Sequence, residues 1–150
     1  MRVSREEYQR MLESELRKTY SSKSVDHALK PRNMGTLEIA SGYARITGPC
    51  GDTMEIWLSV DNEIIDDATF MTDGCVTTIA AGSMVTEMVK GKPVDEGIQI
   101  GQQDILSALD GLPEESQHCA LLAANTLKEA IMDYYEYKRD KWKRSYKKQW

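Results

Sequence analysis

The chain has 150 residues, of which 41% are hydrophobic, and a net charge of -5. That length fits one globular domain able to bury roughly two-thirds of its unfolded surface. No apolar stretch approaches the ~20 residues of a membrane-spanning helix, and three cysteines is an odd count that cannot form a full set of internal disulfides. The first residues (MRVSREEYQRMLESELRK) are charged throughout and read as neither signal peptide nor anchor, so the expected compartment is the cytoplasm and the expected state of the cysteines is free thiol.

Tyr8, Met11, Leu12, Leu16 and Tyr20 recur at three- and four-residue steps, which predicts an amphipathic N-terminal helix whose stripe needs a partner. The following SSKSVDHALKPRNMGTLE is rich in turn formers and is broken by Pro31 and Gly35, so it reads as an irregular link into a sheet, with His27 exposed. Segments 43–47, 54–60 and 63–71 alternate apolar and polar residues, and Asp61-Asn62 suits a two-residue turn between the last two. After Cys75 the period lengthens through Ile79, Val85 and Val89 to a stop at Gly91 and Pro93, which marks a helix. A short helix is expected near 102–109, and from Pro113 and Ser116 a long one carrying Ala120, Ala124, Leu127, Ile131 and Tyr134 or Tyr135 inward. The predicted fold class is α+β: a three-stranded antiparallel sheet with helices packed on one face, an amphipathic N-terminal helix and a long C-terminal helix. Residues 1–137 form the expected domain and 138–150 a basic, aromatic tail continuing the last helix.

Charge divides along the same line. From Lys138 onward seven bases face one acid, a balance of +6 that leaves -11 on residues 1–137. An acidic body with a basic tail can attract its own surface, a second copy, or an acidic partner. Trp142, Tyr146 and Trp150 recur every four residues, which reads first as a packing stripe. Nucleic-acid or membrane-surface contact fits an acidic body poorly, so neither is an expected partner.

Cys50 lies in a Gly48-Pro49-Cys50-Gly51-Asp52 loop, where flanking glycines allow a tight turn and close approach by a ligand. Cys75 follows Gly74 at a strand-to-helix change and Cys119 follows His118 near a helix start, so both are placed where a helix dipole favours thiolate. A lone free cysteine is as often a small buried filler, yet all three stand at the edge of an element. Gaps of 24 and 43 residues without any Cys-x-x-Cys pair disfavour a zinc finger, so convergence has to be made by the fold. Three thiolates fall one short of four-coordination, and Asp52 and His118 are the nearby candidates to complete it. Zinc accepts either set, whereas an iron–sulfur cluster, which usually takes four thiolates, would be held loosely.

Gly-Pro-Cys50-Gly-Asp52, Asp-Gly74-Cys75 before the small-residue-rich VTTIAAGSMVTEMVKGK, and His118-Cys119 together resemble the U-type iron–sulfur cluster assembly scaffolds of the IscU and NifU N-terminal-domain family. The likeness extends from VDHALKPRNMG at Val25 to about Tyr135. The resemblance implies a scaffold that is not an enzyme, on which a transient [2Fe–2S] cluster, or zinc, is held by Cys50, Cys75, Cys119 and Asp52, with His118 as alternative ligand. It implies Cys119 as the persulfide acceptor. The implied partners are a cysteine desulfurase, donors of iron and electrons, and recipient apo iron–sulfur proteins; a homo-oligomer is a further expectation. The gap between Cys75 and Cys119 is that of the IscU and NifU type. Leu112-Pro113-Glu114-Glu115-Ser116-Gln117 departs from the Leu-Pro-Pro-Val-Lys of many bacterial members, so the family's dedicated chaperone is not carried over. Two alternatives remain beside the scaffold: a zinc-binding sulfur acceptor or regulator of a desulfurase, and a thiol-dependent transferase, for which no base-plus-orienter set is visible.

Overall fold

A computed structural model describes residues 3–140. Three strands, β1 (Gly42–Thr47), β2 (Thr53–Asp61) and β3 (Ile64–Thr72), form an antiparallel meander in chain order. Ala44, Ile56 and Phe70 stand opposite one another across the three strands and are all buried. Tyr43 and Trp57 form the neighbouring row on the other face, with their ring centroids 5.2 Å apart. The β2–β3 register shifts between Ser59 and Val60, a bulge that lets Ile65 and Ala68 both face inward and leaves Asp66 exposed. The tight turn falls on Asn62 and Glu63, with φ of 51° and 64°, one residue later than the expected Asp61-Asn62. A type I′ turn needs both central residues left-handed, so Asp61 stays in the ladder opposite Ile64. Glu63 is fastened to the last helix, where its carboxylate accepts the Tyr134 hydroxyl at 2.9 Å and the Lys138 ammonium at 2.5 Å.

The inner face is covered by α3 (Val76–Val89), chiefly along β3, and by α6 (Gln117–Arg139), which crosses β1 and β2. Helix α3 is buried on most sides, at Ala80, Ala81, Ser83, Val85, Thr86 and Val89 among others, because α2 (Ser22–Leu29) and α6 flank it. The expected inward stripe of α6 is confirmed, with Ala120, Ala124, Leu127, Ile131 and Tyr134 buried. Between these lie the short α4 (Val94–Gly97), which the sequence pattern did not reveal, and α5 (Gln102–Ala108), which it did. Among the described residues no helix is long and apolar enough to cross a membrane.

Three expectations need revision. Residues 21–38 are not an irregular link throughout, because Ser22–Leu29 form α2. Its eight residues are too few for a clear period, and Pro31 disguises its end. Only the stretch after it joins the sheet irregularly: the Phe70 amide donates to the Asn33 carbonyl and the Gly35 amide to the Phe70 carbonyl, each at 2.9 Å. His27 is not solvent-facing; it is half-buried on α2 with Nδ1 2.7 Å from Ser83 Oγ, and burial first, then the Arg32 cation, hold its imidazole below the ordinary value. Finally, the stripe of α1 (Arg5–Thr19) is covered only toward its end, at the half-buried Leu16 and Tyr20, and Tyr8 and Met11 are 61% and 58% exposed. The last helix extends to Arg139, two residues into the tail expected to continue it, and Trp142, Tyr146 and Trp150 lie outside the described residues.

Ser21 joins this unexpected helix to the rest. Its Oγ accepts the Ser24 amide at 3.0 Å as the N-cap and donates to the Leu109 carbonyl beyond α5. Ser21→Ala should therefore lower unfolding free energy by about 1–2 kcal/mol, read as a shift of the urea midpoint at constant slope. An unchanged midpoint would mean that the cap and the tie contribute nothing.

Candidate metal centre

One end of the sheet gathers three distant segments: the β1–β2 loop, the β3–α3 junction and the start of α6. In the loop the Gly51 amide donates to the Gly48 carbonyl at 3.0 Å and the Gly48 amide to the Asp52 carbonyl at 2.8 Å, with Gly51 at φ +86°. Loop and junction are then locked together. Asp73 Oδ1 accepts the Thr53 amide at 2.7 Å, and the Thr72 hydroxyl donates to the Thr53 carbonyl at 2.6 Å.

This places Asp52, Cys75 and Cys119 so that one ligand atom from each lies within 4.8 Å of the others. They are the one group of three or more such residues found among the described residues. Cys50 sits exposed on the loop outside this group, and the half-buried His118, in the first turn of α6, is outside it too, with its Nε2 3.7 Å from Cys119 Sγ. Two residues not anticipated from the sequence thread the group together. Thr77 Oγ1 is 3.2 Å from both Cys75 Sγ and Cys119 Sγ, and the Thr78 hydroxyl donates to Asp52 Oδ2 at 2.9 Å while lying 3.4 Å from Cys119 Sγ. Both threonines are buried in the first turn of α3. Their signal was available as two adjacent hydroxyl residues beginning two positions after a candidate ligand.

The two clustered thiols are tuned in opposite directions. Burial pushes the Cys75 thiol up, but the Thr77 hydroxyl, the first-turn amides of Thr77 and Thr78 and the Thr78 hydroxyl together bring it below the ordinary thiol value. Cys75 is the N-cap residue of α3; those amides lie toward its sulfur without closing a capping hydrogen bond, so their effect is one of field. Cys119 was expected to share such help at the start of α6. Its thiol is instead raised, because it is only 1% exposed and burial outweighs the threonine hydroxyls, with negative charge on Cys75 and Asp52 adding to the rise. Chemically the site pairs an accessible, thiolate-prone sulfur with a buried neutral one beside a carboxylate. A divalent or trivalent metal that displaces the thiol protons suits it.

Residues 19–141 match the NifU-like N-terminal domain. The chain belongs to that family. It is 44% identical over 117 residues to the iron–sulfur cluster assembly scaffold protein IscU 1 of Archaeoglobus fulgidus, a match covering 77% of this chain and 76% of that one. It is 43% identical over 121 residues to the IscU scaffold of Escherichia coli K12, covering 77% and 93%. Among solved structures, a NifU-like protein (N-terminal) from Brucella abortus superposes with a TM-score of 0.64 over 81% of this chain and 97% of that one; at 17% identity it speaks to the fold alone. The family's fold therefore agrees with the sheet and helices described above.

In metal-free protein, iodoacetamide should modify Cys75 at a lower pH than an ordinary thiol, since a lowered value leaves more thiolate at any given pH. Cys119 should react far more slowly until the chain is unfolded. Peptide mass spectrometry across a pH series checks this, and equal rates at the two sites would contradict the opposed tuning.

Proposed function

We propose that this chain is a scaffold on which a [2Fe–2S] cluster is assembled and from which it is passed to recipient apoproteins. The observation that carries the reading is the meeting of Asp52, Cys75 and Cys119 ligand atoms, from three segments far apart in sequence, at one end of a NifU-type domain. Relatives over most of the chain are named iron–sulfur cluster assembly scaffolds, which supports it. Cys50 completes the ligand set when its loop folds over the arriving cargo. With a carboxylate in place of a fourth thiolate the cluster is bound less firmly, which suits a protein that gives it away.

Sulfur arrives from a cysteine desulfurase as a persulfide. Attack by an acceptor thiolate on the outer sulfur forms a new persulfide on this chain and releases the donor's thiolate. Cys75 is open to such a donor, whereas Cys119, the acceptor implied by the resemblance, is buried and must first be uncovered. Reducing two such sulfurs to sulfide takes four electrons. Two ferrous ions becoming ferric supply half of them, so an electron donor must supply the rest. The chain itself contributes ligands and position, not turnover.

Anaerobic incubation of the full chain with a desulfurase, cysteine, ferrous iron and a reductant should give a labile brown chromophore with iron and acid-labile sulfide in equal amounts. Cys75→Ala should abolish it. Normal reconstitution by that variant would place the site elsewhere, and zinc retained in stoichiometric amount with no sulfide would select the zinc-bound sulfur acceptor or desulfurase regulator instead.

A further inference from the structure

Buried threonine hydroxyls inside a helix ordinarily bond back to a carbonyl of their own helix. Two in this protein do so: Thr86 donates to the Gly82 carbonyl at 2.8 Å and Thr126 to the Leu122 carbonyl at 2.7 Å. Thr78, fully buried like them, does not. Its hydroxyl leaves α3 and reaches Asp52 Oδ2 at 2.9 Å, across a gap of 26 residues in sequence, with Cys119 Sγ at 3.4 Å and Cys75 Sγ at 3.8 Å on its other side. A hydroxyl has one proton, and a carboxylate is a far stronger acceptor than a thiol, so the proton belongs to Asp52.

The backbone around Thr78 is shaped to keep it there. A Cβ on Gly74 would lie 2.6 Å from Thr78 Cβ and 2.7 Å from Thr78 Oγ1, so this threonine can occupy its place only because residue 74 has no side chain. The Gly74 amide is itself tied to Thr72 Oγ1 at 3.1 Å, the same hydroxyl that anchors the loop strand. Asp52 is otherwise a half-buried side chain on a turning loop, free to point to solvent. The Thr78 hydroxyl removes that freedom from one carboxylate oxygen, Oδ2, and so holds the carboxylate, one oxygen of which lies within 4.8 Å of both sulfurs.

We propose that Thr78 is the positioning residue of the metal centre, holding the Asp52 carboxylate in line with Cys75 and Cys119 before any metal arrives. The proposal rests on the site assignment above and adds to it a residue that touches no metal. Hydrogen-bond partners of metal ligands typically alter affinity about 10–100-fold when removed.

The test uses the full chain and cobalt(II) alone, with affinity measured by competition against a chromophoric chelator and the sulfur-to-cobalt charge-transfer band as signature. Thr78→Val keeps the branched shape and removes the hydroxyl; it should weaken cobalt about ten-fold while retaining the thiolate band. Thr78→Ser, which restores the hydroxyl, should bind within about three-fold of the parent. In an Asp52→Ala background Thr78→Val should add less than about two-fold, because the group it positions is gone. If Thr78→Val does not fold, as judged by circular dichroism without metal, Thr78→Ala carries the same expectations. Parent-like binding by the hydroxyl-free variant, a Ser variant as weak as Val, or an undiminished loss in the Asp52→Ala background each overturns the proposal. Cys75→Ala separates the two levels. If it too binds like the parent, the site assignment falls and this inference with it; if it loses the band while Thr78→Val is parent-like, only the role of Thr78 falls.

Discussion

The hydrogen bonds that fasten the β1–β2 loop to the end of β3 hold the candidate centre together. Asp73 accepts the Thr53 amide and the Thr72 hydroxyl donates to the Thr53 carbonyl, so the residue that follows Asp52 is tied to the residues that precede Cys75. From this tie the rest follows. Asp52 comes within reach of the first turn of α3, and α3, packed against α6, brings Cys119 to the same point. The meander and its two covering helices act as a rigid frame, while the ligand-bearing pieces lie at its rim.

That geometry sets the chemistry. A buried sulfur beside a carboxylate and a second sulfur cannot carry its own negative charge cheaply, and Cys119 is held as a thiol for that reason. Cys75, at the mouth of a helix and touched by two threonines, is the one biased toward thiolate. A metal cation held by Asp52, Cys75 and Cys119 would ease the conflict by offsetting their negative charge. The hydroxyls of Thr77 and Thr78 bridge between the candidate ligand atoms of Asp52, Cys75 and Cys119.

Much of the frame was legible in the sequence. Ala44, Ile56 and Phe70 sit on the alternating positions of their strands, and Ala120 to Tyr134 keep helical spacing, because both faces are buried against one core. The position of each cysteine at the edge of an element was legible for the same reason. What escaped was short or context-bound. Helix α2 has two turns and an ambiguous end; the hairpin turn falls one residue later because Asn62 and Glu63, not Asp61, take the left-handed φ that it needs. The direction of the Cys119 shift depends on burial depth, which no local pattern carries. Thr77 and Thr78 read as ordinary helix residues in the sequence, and only the fold brings the loop residue Asp52 to the Thr78 hydroxyl.

Zinc K-edge absorption fine structure on the full chain, loaded with one equivalent of zinc, bears most directly on the claim that Asp52 and the cysteines form a single mixed-ligand centre. The account predicts a four-coordinate shell dominated by sulfur at about 2.3 Å, with one oxygen ligand at about 2.0–2.2 Å that disappears or is replaced in Asp52→Ala. A shell of oxygen and nitrogen alone, or one that is unchanged when Cys75 and Cys119 are both replaced by alanine, would contradict it.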